Sequence, residues 1–228
     1  MYIIGITGPS GAGKTTALRV LEEMGGQVYD CDAIYHEMLR SDGELLGRIE
    51  AAFPGAIKDY ALDRKALGAR VFADPAGLEK LTNITQPLVA KRVLGEIEAL
   101  GRQHPSTGLK AGPPLLLARD VPTASAAFAV IDAIGLFESG LGKRCDLTVA
   151  VVADPEIRAA RLTVRDNITE DYARARIAAQ KSAQWYAAQA DITLENNGTE
   201  AAFRQQCADA FAGALAAVRP EEDPAGRR

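Results

Sequence analysis

The sequence Ile3-Ile4-Gly5-Ile6-Thr7 is followed directly by Gly8-Pro9-Ser10-Gly11-Ala12-Gly13-Lys14-Thr15. The first five residues are mostly apolar and predict a short buried strand, and residues 16–24 carry apolar side chains at helical spacing. The eight residues between them match the pattern G-x-x-x-x-G-K-[ST], in which a glycine-rich turn between a strand and a helix binds nucleotide phosphates. An ordinary glycine-rich turn would explain neither Lys14 nor Thr15.

The residues of this loop predict the contacts that a nucleotide would make. Its glycines let successive backbone N–H groups point inward, and the following helix adds the positive end of its dipole. Lys14 is predicted to reach the β- and γ-phosphates of ATP, and the Thr15 hydroxyl to coordinate Mg²⁺. ATP and Mg²⁺ are therefore the predicted cofactors. The predicted nucleotide-binding residues are Gly8, Gly11, Ala12, Gly13, Lys14, Thr15 and Thr16, together with Asn197 in a later turn.

Composition narrows the class of protein. The 228 residues are 47% hydrophobic and 25% charged, which fits one α/β domain with embellishments. The net charge is −4, from 26 Lys and Arg against 30 Asp and Glu, and this argues against a nucleic-acid partner. No targeting segment and no 18-residue apolar run is visible, and the 3 cysteines form no C-x-x-C pair. We therefore expect a cytoplasmic protein without a membrane partner.

Acidic residues at the ends of further apolar runs are the predicted catalytic and acceptor groups. Residues 27–32 predict a second strand that ends in Asp30 and Asp32, at the sheet edge where open α/β folds keep their chemistry. Asp32 is predicted to accept the proton of an attacking hydroxyl or to help hold Mg²⁺. The alternative is that Asp30 or Asp32 caps the next helix. Residues 129–134 predict a third strand leading to Glu138, which would contact the acceptor or a metal-bound water, or else begin a helix.

A later helix carries three arginines on one face. Asp154-Pro155 predicts its start, and Arg158, Arg161 and Arg165 follow at spacings of three and four without acidic partners at matching spacings. Because a guanidinium grips two phosphate oxygens at once, we predict an anion-facing lid over about residues 155–185. The alternative is a solvated basic face. After a fourth strand at 147–152 and a last one at 191–195, Asn197 would read the adenine edge or simply form an Asn-Gly turn.

The predicted organisation places an acceptor region between two parts of a nucleotide-binding core. The core comprises residues 1–40 and 128–219, and residues 41–100 predict helices punctuated by Pro54, Pro75 and Pro87. Within them, Asp63-Arg64 is the charged pair best suited to face a ligand, or else a helix start followed by a solvated arginine. Residues 101–127 predict an irregular insertion, and 220–228 a disordered tail.

Taken in order, these motifs resemble the dephospho-CoA kinase family. The matching pieces include the loop at 8–16, Asp30-Cys31-Asp32, Asp63-Arg64 followed by Val71-Phe72-Ala73-Asp74-Pro75, Leu136-Phe137-Glu138-Ser139-Gly140, Arg161 to Asp166, Arg176 with Gln180, and Glu195-Asn196-Asn197-Gly198. The resemblance implies a three-layer P-loop kinase fold with a five-stranded parallel sheet, a helical acceptor-binding region and a lid. It implies a transferase that phosphorylates the ribose 3′-hydroxyl of dephospho-CoA with ATP, the last step of coenzyme A synthesis.

The same resemblance implies residue roles. Asp32 would activate the 3′-hydroxyl, and Arg161 and Arg165 would bind the transferring phosphoryl group. Arg64 falls in the region that would receive the CoA moiety. The chain departs from the family at Gln86-Pro87, where His-Pro is common, and at Ile134-Gly135-Leu136, where Pro-Leu-Leu is common. These departures affect acceptor contacts more than phosphate chemistry. Two alternatives stay open, another small-molecule P-loop kinase and a nucleotide-dependent switch, and a monomer is slightly favoured.

Overall fold

A computed structural model describes residues 1–58, 61–72, 74–103 and 128–217. Of the predicted irregular insertion at 101–127, residues 101–103 are helical, and the rest, 104–127, lies outside the described residues, as does the predicted tail at 220–228. The chain forms two compact units, one of Met1–Val28 with the described part of Leu100–Arg228, the other of Tyr29–Ala99. Within the described residues, no helix combines the length and the apolar composition of a membrane span.

The described elements alternate between strands and helices. The strands are β1 (Ile3–Thr7), β2 (Gly26–Asp30), β3 (Ile57–Lys58), β4 (Ala61–Leu62), β5 (Phe128–Asp132), β6 (Leu147–Val152) and β7 (Ile192–Glu195). The α-helices are α1 (Lys14–Glu23), α2 (Cys31–Ser41), α3 (Gly43–Ala52), α4 (Arg64–Phe72), α5 (Pro75–Gln103), α6 (Pro155–Asp166), α7 (Glu170–Ala178), α8 (Ala183–Ala187) and α9 (Glu200–Ala217). A 3₁₀ helix spans Leu141–Arg144.

The first unit is built on a five-stranded sheet with the strand order β2-β5-β1-β6-β7. Strand β1 lies at the centre and pairs in parallel with β5 on one side and with β6 on the other, and β6 pairs in parallel with β7. Every residue of β6 is buried, as expected for a parallel strand that is covered on both faces. The loop after β1 therefore leaves the middle of the sheet.

Helices cover both faces of this sheet. On one face α1 and α9 pack against β1, β5 and β6, with Leu21, Phe203 and Phe211 in the shared core. On the other face Tyr186 of α8 packs against Ala150 and Val152 of β6. A five-stranded parallel sheet with helices on both faces agrees with the predicted three-layer α/β fold class.

The second unit begins at Tyr29, rather than at the predicted boundary of 41, and contains α2, α3 and α4 and most of α5. The prediction of a strand through residue 32 is wrong, because β2 ends at Asp30 and α2 begins at Cys31. The Asp30 carboxylate accepts hydrogen bonds from the N–H groups of Asp32 and Ala33, both at 2.9 Å, and so caps α2.

Two further details of the second unit were not predicted. Strands β3 and β4 form a short antiparallel hairpin, in which Ile57 is paired with Leu62. Pro87 lies inside α5 instead of ending a helix. A proline removes one backbone donor from a helix interior. Over 29 residues the remaining hydrogen bonds and the burial of Leu88, Val93 and Ile97 hold α5 together.

Candidate active site

The loop between β1 and α1 has a conformation that requires glycine at two positions. Gly8 has a φ of 139°, and a Cβ added there would lie 2.0 Å from the Val151 carbonyl oxygen. Gly13 has a φ of 102°, and a Cβ there would lie 2.1 Å from Nδ2 of Asn196. Since L-residues rarely adopt such φ values, the loop keeps this shape only with glycine. The glycine spacing of the sequence thus has a steric cause.

Helix α1 begins at Lys14, so the loop ends in a helix N-terminus, which favours bound anions. The Lys14 Nζ atom donates a hydrogen bond of 2.9 Å to the Gly8 carbonyl and therefore spans the loop. Thr15 is exposed in the first turn, and the Thr16 N–H donates to the Gly13 carbonyl at 3.1 Å. The lysine and the hydroxyl expected to meet phosphate and metal thus stand together at the sheet edge.

Arg158 of α6 joins this loop from later sequence. Its side chain is buried, its Nε donates to the Ser10 carbonyl at 2.9 Å, and its Nη2 donates to Oε1 of Gln180 at 2.6 Å. The same Gln180 oxygen accepts the Ser10 N–H at 3.1 Å, and Nε2 of Gln180 donates to the Ser10 hydroxyl at 2.8 Å. Burial lowers the pKa of Arg158 from its ordinary value.

Arg161, one turn later on α6, also reaches the loop. Its Nη1 atom donates to the Gly11 carbonyl at 3.3 Å, and its Nη2 donates to the backbone and side-chain oxygens of Asn196 at 3.1 and 3.2 Å. Asn196 is buried, and its Nδ2 donates to the Ala12 carbonyl at 2.8 Å. Gln180 and Asn196 were not among the predicted site residues. They lie far from the loop in sequence, and only the Gln180 and Asn196-Asn197 motifs of the family pointed to them.

Arg165 does not contact the loop. Its Nε and Nη2 atoms lie 2.7 and 3.1 Å from the two carboxylate oxygens of Asp166, which also binds Nη1 of Arg176 at 2.7 Å. These two guanidiniums lower the pKa of Asp166 to about 2. The prediction considered acidic partners only at helical spacing, whereas the partner of Arg165 is the adjacent residue, Asp166.

The two arginines that contact the loop, Arg158 and Arg161, have uncharged partners among the described residues. Within the part of the chain that the structure describes, Arg158 and Arg161 donate only to backbone carbonyls and to the side chains of Gln180 and Asn196. A buried cation without an opposite charge is costly, and a polyanion bound at the loop would supply that charge. The loop surroundings therefore favour a phosphate ligand electrostatically.

A cavity of about 400 Å³ opens beside this network. It is lined by the end of β6, the start of α6, the α7–α8 connection and the end of β7, and its residues include Asp154, Arg158, Gln180, Ser182, Gln184 and Asn197. The Asn197 side-chain oxygen accepts the Asp154 N–H at 2.8 Å. This bond holds the turn in place, and Asn197 is part of the cavity wall.

Two acidic residues lie at or after the end of β5 in the first unit. Asp132 is the last residue of β5 and is aligned with Ile6 of β1. It was not a predicted site residue, although a run of apolar residues ending in aspartate signals a strand-end carboxylate. Glu138 is exposed in a turn, so the alternative that it begins a helix is wrong. Burial, followed by the charge of Glu138, raises the pKa of Tyr186.

The second unit holds two of the predicted acceptor residues, Asp32 and Arg64. Asp32 is exposed in the first turn of α2, and Arg64 is exposed at the start of α4. The Arg64 Nη2 atom lies 3.1 Å from Nδ1 of His36, which is one turn beyond Asp32 on the same helix face. Because a guanidinium only donates, Nδ1 of His36 is the acceptor. Asp63 accepts a hydrogen bond of 2.9 Å from the Ala66 N–H and so caps the start of α4. This agrees with the alternative that Asp63 starts a helix.

A glycine-rich phosphate loop after a central parallel strand, with guanidiniums from a later helix bound to its backbone, defines a P-loop kinase. The family model described as dephospho-CoA kinase matches residues 2–133 and 116–202. The chain belongs to the dephospho-CoA kinase family, whose enzymes catalyse the last step of coenzyme A biosynthesis.

Individual relatives agree with this assignment. A dephospho-CoA kinase of Paramagnetospirillum magneticum is 36% identical over 79% of this chain and 75% of its own length. Another, from Symbiobacterium thermophilum, is 35% identical over 91% of this chain and 82% of its own. A crystal structure from Thermus thermophilus has a TM-score of 0.69 and 29% identity, covering 94% of this chain and 97% of that one. The dephospho-CoA kinase of Campylobacter jejuni, with a TM-score of 0.61 and 22% identity over 94% and 98%, shares the fold.

Proposed function

We propose that this chain transfers the γ-phosphoryl group of ATP to the ribose 3′-hydroxyl of dephospho-CoA and releases CoA and ADP. The observation that carries this proposal is the phosphate loop bonded to Arg158 and Arg161, two guanidiniums whose described partners are all uncharged. Such a site attracts a polyphosphate and holds it in a fixed frame. Membership of the dephospho-CoA kinase family supports dephospho-CoA as the acceptor.

Three cationic residues have proposed roles on the phosphates. Lys14 binds the β- and γ-phosphates from across the loop, and Arg161 and Arg165 stabilise the charge on the transferring phosphoryl group. Phosphoryl transfer needs positioning and charge neutralisation more than covalent catalysis by the protein. The contacts of Arg161 with the Gly11 and Asn196 oxygens support this role, because they place its guanidinium at the loop. Arg165 stands one helical turn further along α6.

The proposed acceptor site consists of two carboxylates, those of Asp32 and Glu138, and one arginine, Arg64. In the proposed reaction Asp32 takes the proton of the 3′-hydroxyl, whose oxygen forms the new bond to the γ-phosphorus as the bond to the β-phosphate oxygen breaks. ADP leaves with that oxygen. Arg64 and Glu138 bind the acceptor, and Asn197 contacts the adenine of ATP from the cavity of about 400 Å³.

The residues at the loop fit a magnesium ion. Mg²⁺ usually keeps one or two protein ligands and takes its others from phosphates and water. Thr15 supplies a hydroxyl at the start of α1, and Asp132 supplies a carboxylate at the end of β5. We propose that these two residues hold the ion, directly or through water. When bound, Mg²⁺ neutralises charge on the phosphates.

An ADP-release assay against a panel of acceptors tests the proposal. With ATP and Mg²⁺ present, dephospho-CoA should give ADP well above background, whereas uridine and nucleoside monophosphates should not. Lys14→Ala should abolish the signal, which shows that it depends on the loop. ADP release with a nucleoside but not with dephospho-CoA would instead favour another small-molecule kinase. Slow hydrolysis unaffected by any acceptor would favour a nucleotide switch.

A further inference from the structure

One carboxylate connects α6 to α7 through two arginines. Asp166, the last residue of α6, binds Nε and Nη2 of Arg165 on its own helix and Nη1 of Arg176 on α7. The Asp166 side chain is 24% exposed, against 60% for that of Arg165. The carboxylate is therefore the shielded centre of this group, and Arg165 is its exposed end.

The contact uses one edge of the Arg165 guanidinium and leaves another available. Nε and Nη2 face Asp166, and no partner of Nη1 lies among the described residues. A planar guanidinium held along one edge cannot rotate freely, so its remaining donors keep a fixed direction. Asp166 thus limits the orientations in which Arg165 can meet an anion.

A purely structural role explains this aspartate poorly. It lies in the last turn of α6, where the negative end of the helix dipole disfavours a carboxylate. A second ion pair already joins the same two helices, because Glu156 of α6 binds Arg174 of α7 through two contacts of 2.5 Å. Glu156 lies in the first turn, where a carboxylate is favoured. The two helices therefore have a tie that does not involve Arg165.

Arg165 lies one helical turn beyond a residue that holds the phosphate loop. It follows Arg161, which binds the Gly11 carbonyl, by four residues of α6. Residues four apart on a helix lie on the same face. The Arg165 guanidinium therefore continues the cationic face of α6 that begins at the loop.

We propose that Asp166 is a positioning residue for phosphoryl transfer, which acts by orienting Arg165 toward the transferring group. The proposal rests on the proposed function, since it assigns Arg165 to that group. Asp166 also offsets the mutual repulsion of Arg165 and Arg176, leaving one net positive charge among the three.

A positioning role of Asp166 predicts a kinetic effect different from that of its negative charge alone. Asp166→Asn raises the local charge by one, so electrostatics alone would strengthen ATP binding and lower the KM for ATP. Loss of a positioning residue instead lowers kcat. Without the Asp166 carboxylate, Arg165 is mobile and is misplaced in the transition state. We expect kcat to fall about tenfold with no increase in the KM for ATP.

The experiment compares four variants with the wild type in the dephospho-CoA assay. They are Asp166→Asn, Glu156→Gln, Arg165→Ala and the double variant Arg165→Ala/Asp166→Asn. Glu156→Gln is the matched control, since it neutralises the other carboxylate that ties α6 to α7 and should leave kcat within about twofold. If Asp166 acts through Arg165, the double variant should be no slower than Arg165→Ala. Melting temperatures of all variants show whether stability follows the same pattern.

Three outcomes overturn the proposal while leaving the proposed function in place. A kcat for Asp166→Asn within twofold of the wild type would exclude a positioning role. A loss of both kcat and melting temperature that Glu156→Gln reproduces would make Asp166 a structural tie only. Additive losses in the double variant would mean that Asp166 does not act through Arg165. A wild type without activity on dephospho-CoA would reject the proposed function itself, and this inference with it.

Discussion

At the residue scale, the two aspartates at the start of α2 have different roles. Asp30 stabilises the helix, and Asp32 is the proposed catalytic base. Asp30 uses its carboxylate to cap the helix, whereas Asp32 is exposed in the first turn and makes no cap. Asparagine caps a helix about as well as aspartate, but it cannot accept a proton as a base. Neutralising each aspartate therefore tests one role at a time.

We expect Asp32→Asn to lower kcat for dephospho-CoA phosphorylation by about 10²-fold, with ATP affinity nearly unchanged, because it removes the proposed base. Asp30→Asn is the matched control and should retain both activity and melting temperature. Steady-state kinetics and nucleotide titration of both variants check this. Turnover of Asp32→Asn within a few-fold of the wild type would exclude Asp32 as the base.

At this scale the sequence predicted correctly the position of residues whose setting depends on their neighbours in the chain. Lys14 and Thr15 follow from the loop pattern, and their positions need no distant contact. Gln180 and Asn196 could not be found by spacing, because their contacts with Ser10 and Ala12 span 170 and 184 positions of sequence. The chemical roles of all the predicted site residues, Lys14 and Thr15 included, stay predictions.

At the element scale, strands were predicted best where burial on both faces leaves a continuous apolar run. β1 and β6 begin and end at the predicted residues. β2 ends earlier than predicted, because side-chain capping by Asp30 starts the helix before the apolar pattern changes. The β3–β4 hairpin has two residues in each strand, too few for any periodicity to appear.

The phosphate loop is the element whose shape is most sharply determined by sterics. We expect Gly8→Ala to destabilise the protein by more than about 2 kcal/mol, because its Cβ would meet the Val151 backbone oxygen, which cannot rotate away. Gly43→Ala is the control, since Gly43 starts α3 with no atom within 4 Å of an added Cβ. Urea unfolding of both variants measures the difference. Equal midpoints would contradict the steric account of the loop.

At the scale of the whole molecule, the chain divides between a sheet unit with the phosphate loop and a helical unit with Asp32 and Arg64. The parallel sheet and the family could be predicted because many short motifs occur along the chain in the family's order. The strand topology confirms the sheet, and the match to the dephospho-CoA kinase family model confirms the family. The lid and the acceptor region stay predictions, because such roles depend on bound ligands.

The sheet unit also contains two thiols that link its stability to pH. Burial, with the charges of Asp146 and Asp191, raises the pKa of Cys145 to about 12, and burial raises that of Cys207 to about 11. In the unfolded chain both should titrate near about 8.5. Above that pH the unfolded state loses protons that the folded state keeps, so stability must fall as pH rises. Below it, the contribution is fully present.

We expect the free energy of unfolding to fall by up to about 1.4 kcal/mol per pH unit for each thiol between pH 8.5 and 10. Trp185, the single tryptophan, packs against Tyr186 in the same unit, so its fluorescence follows the relevant transition in urea. The variant Cys145→Ala/Cys207→Ala should show a much flatter dependence over this range, even where its stability at pH 7 is lower. A slope unchanged by removing both thiols would assign the alkaline loss to other groups, such as the buried tyrosines whose pKa values are also raised.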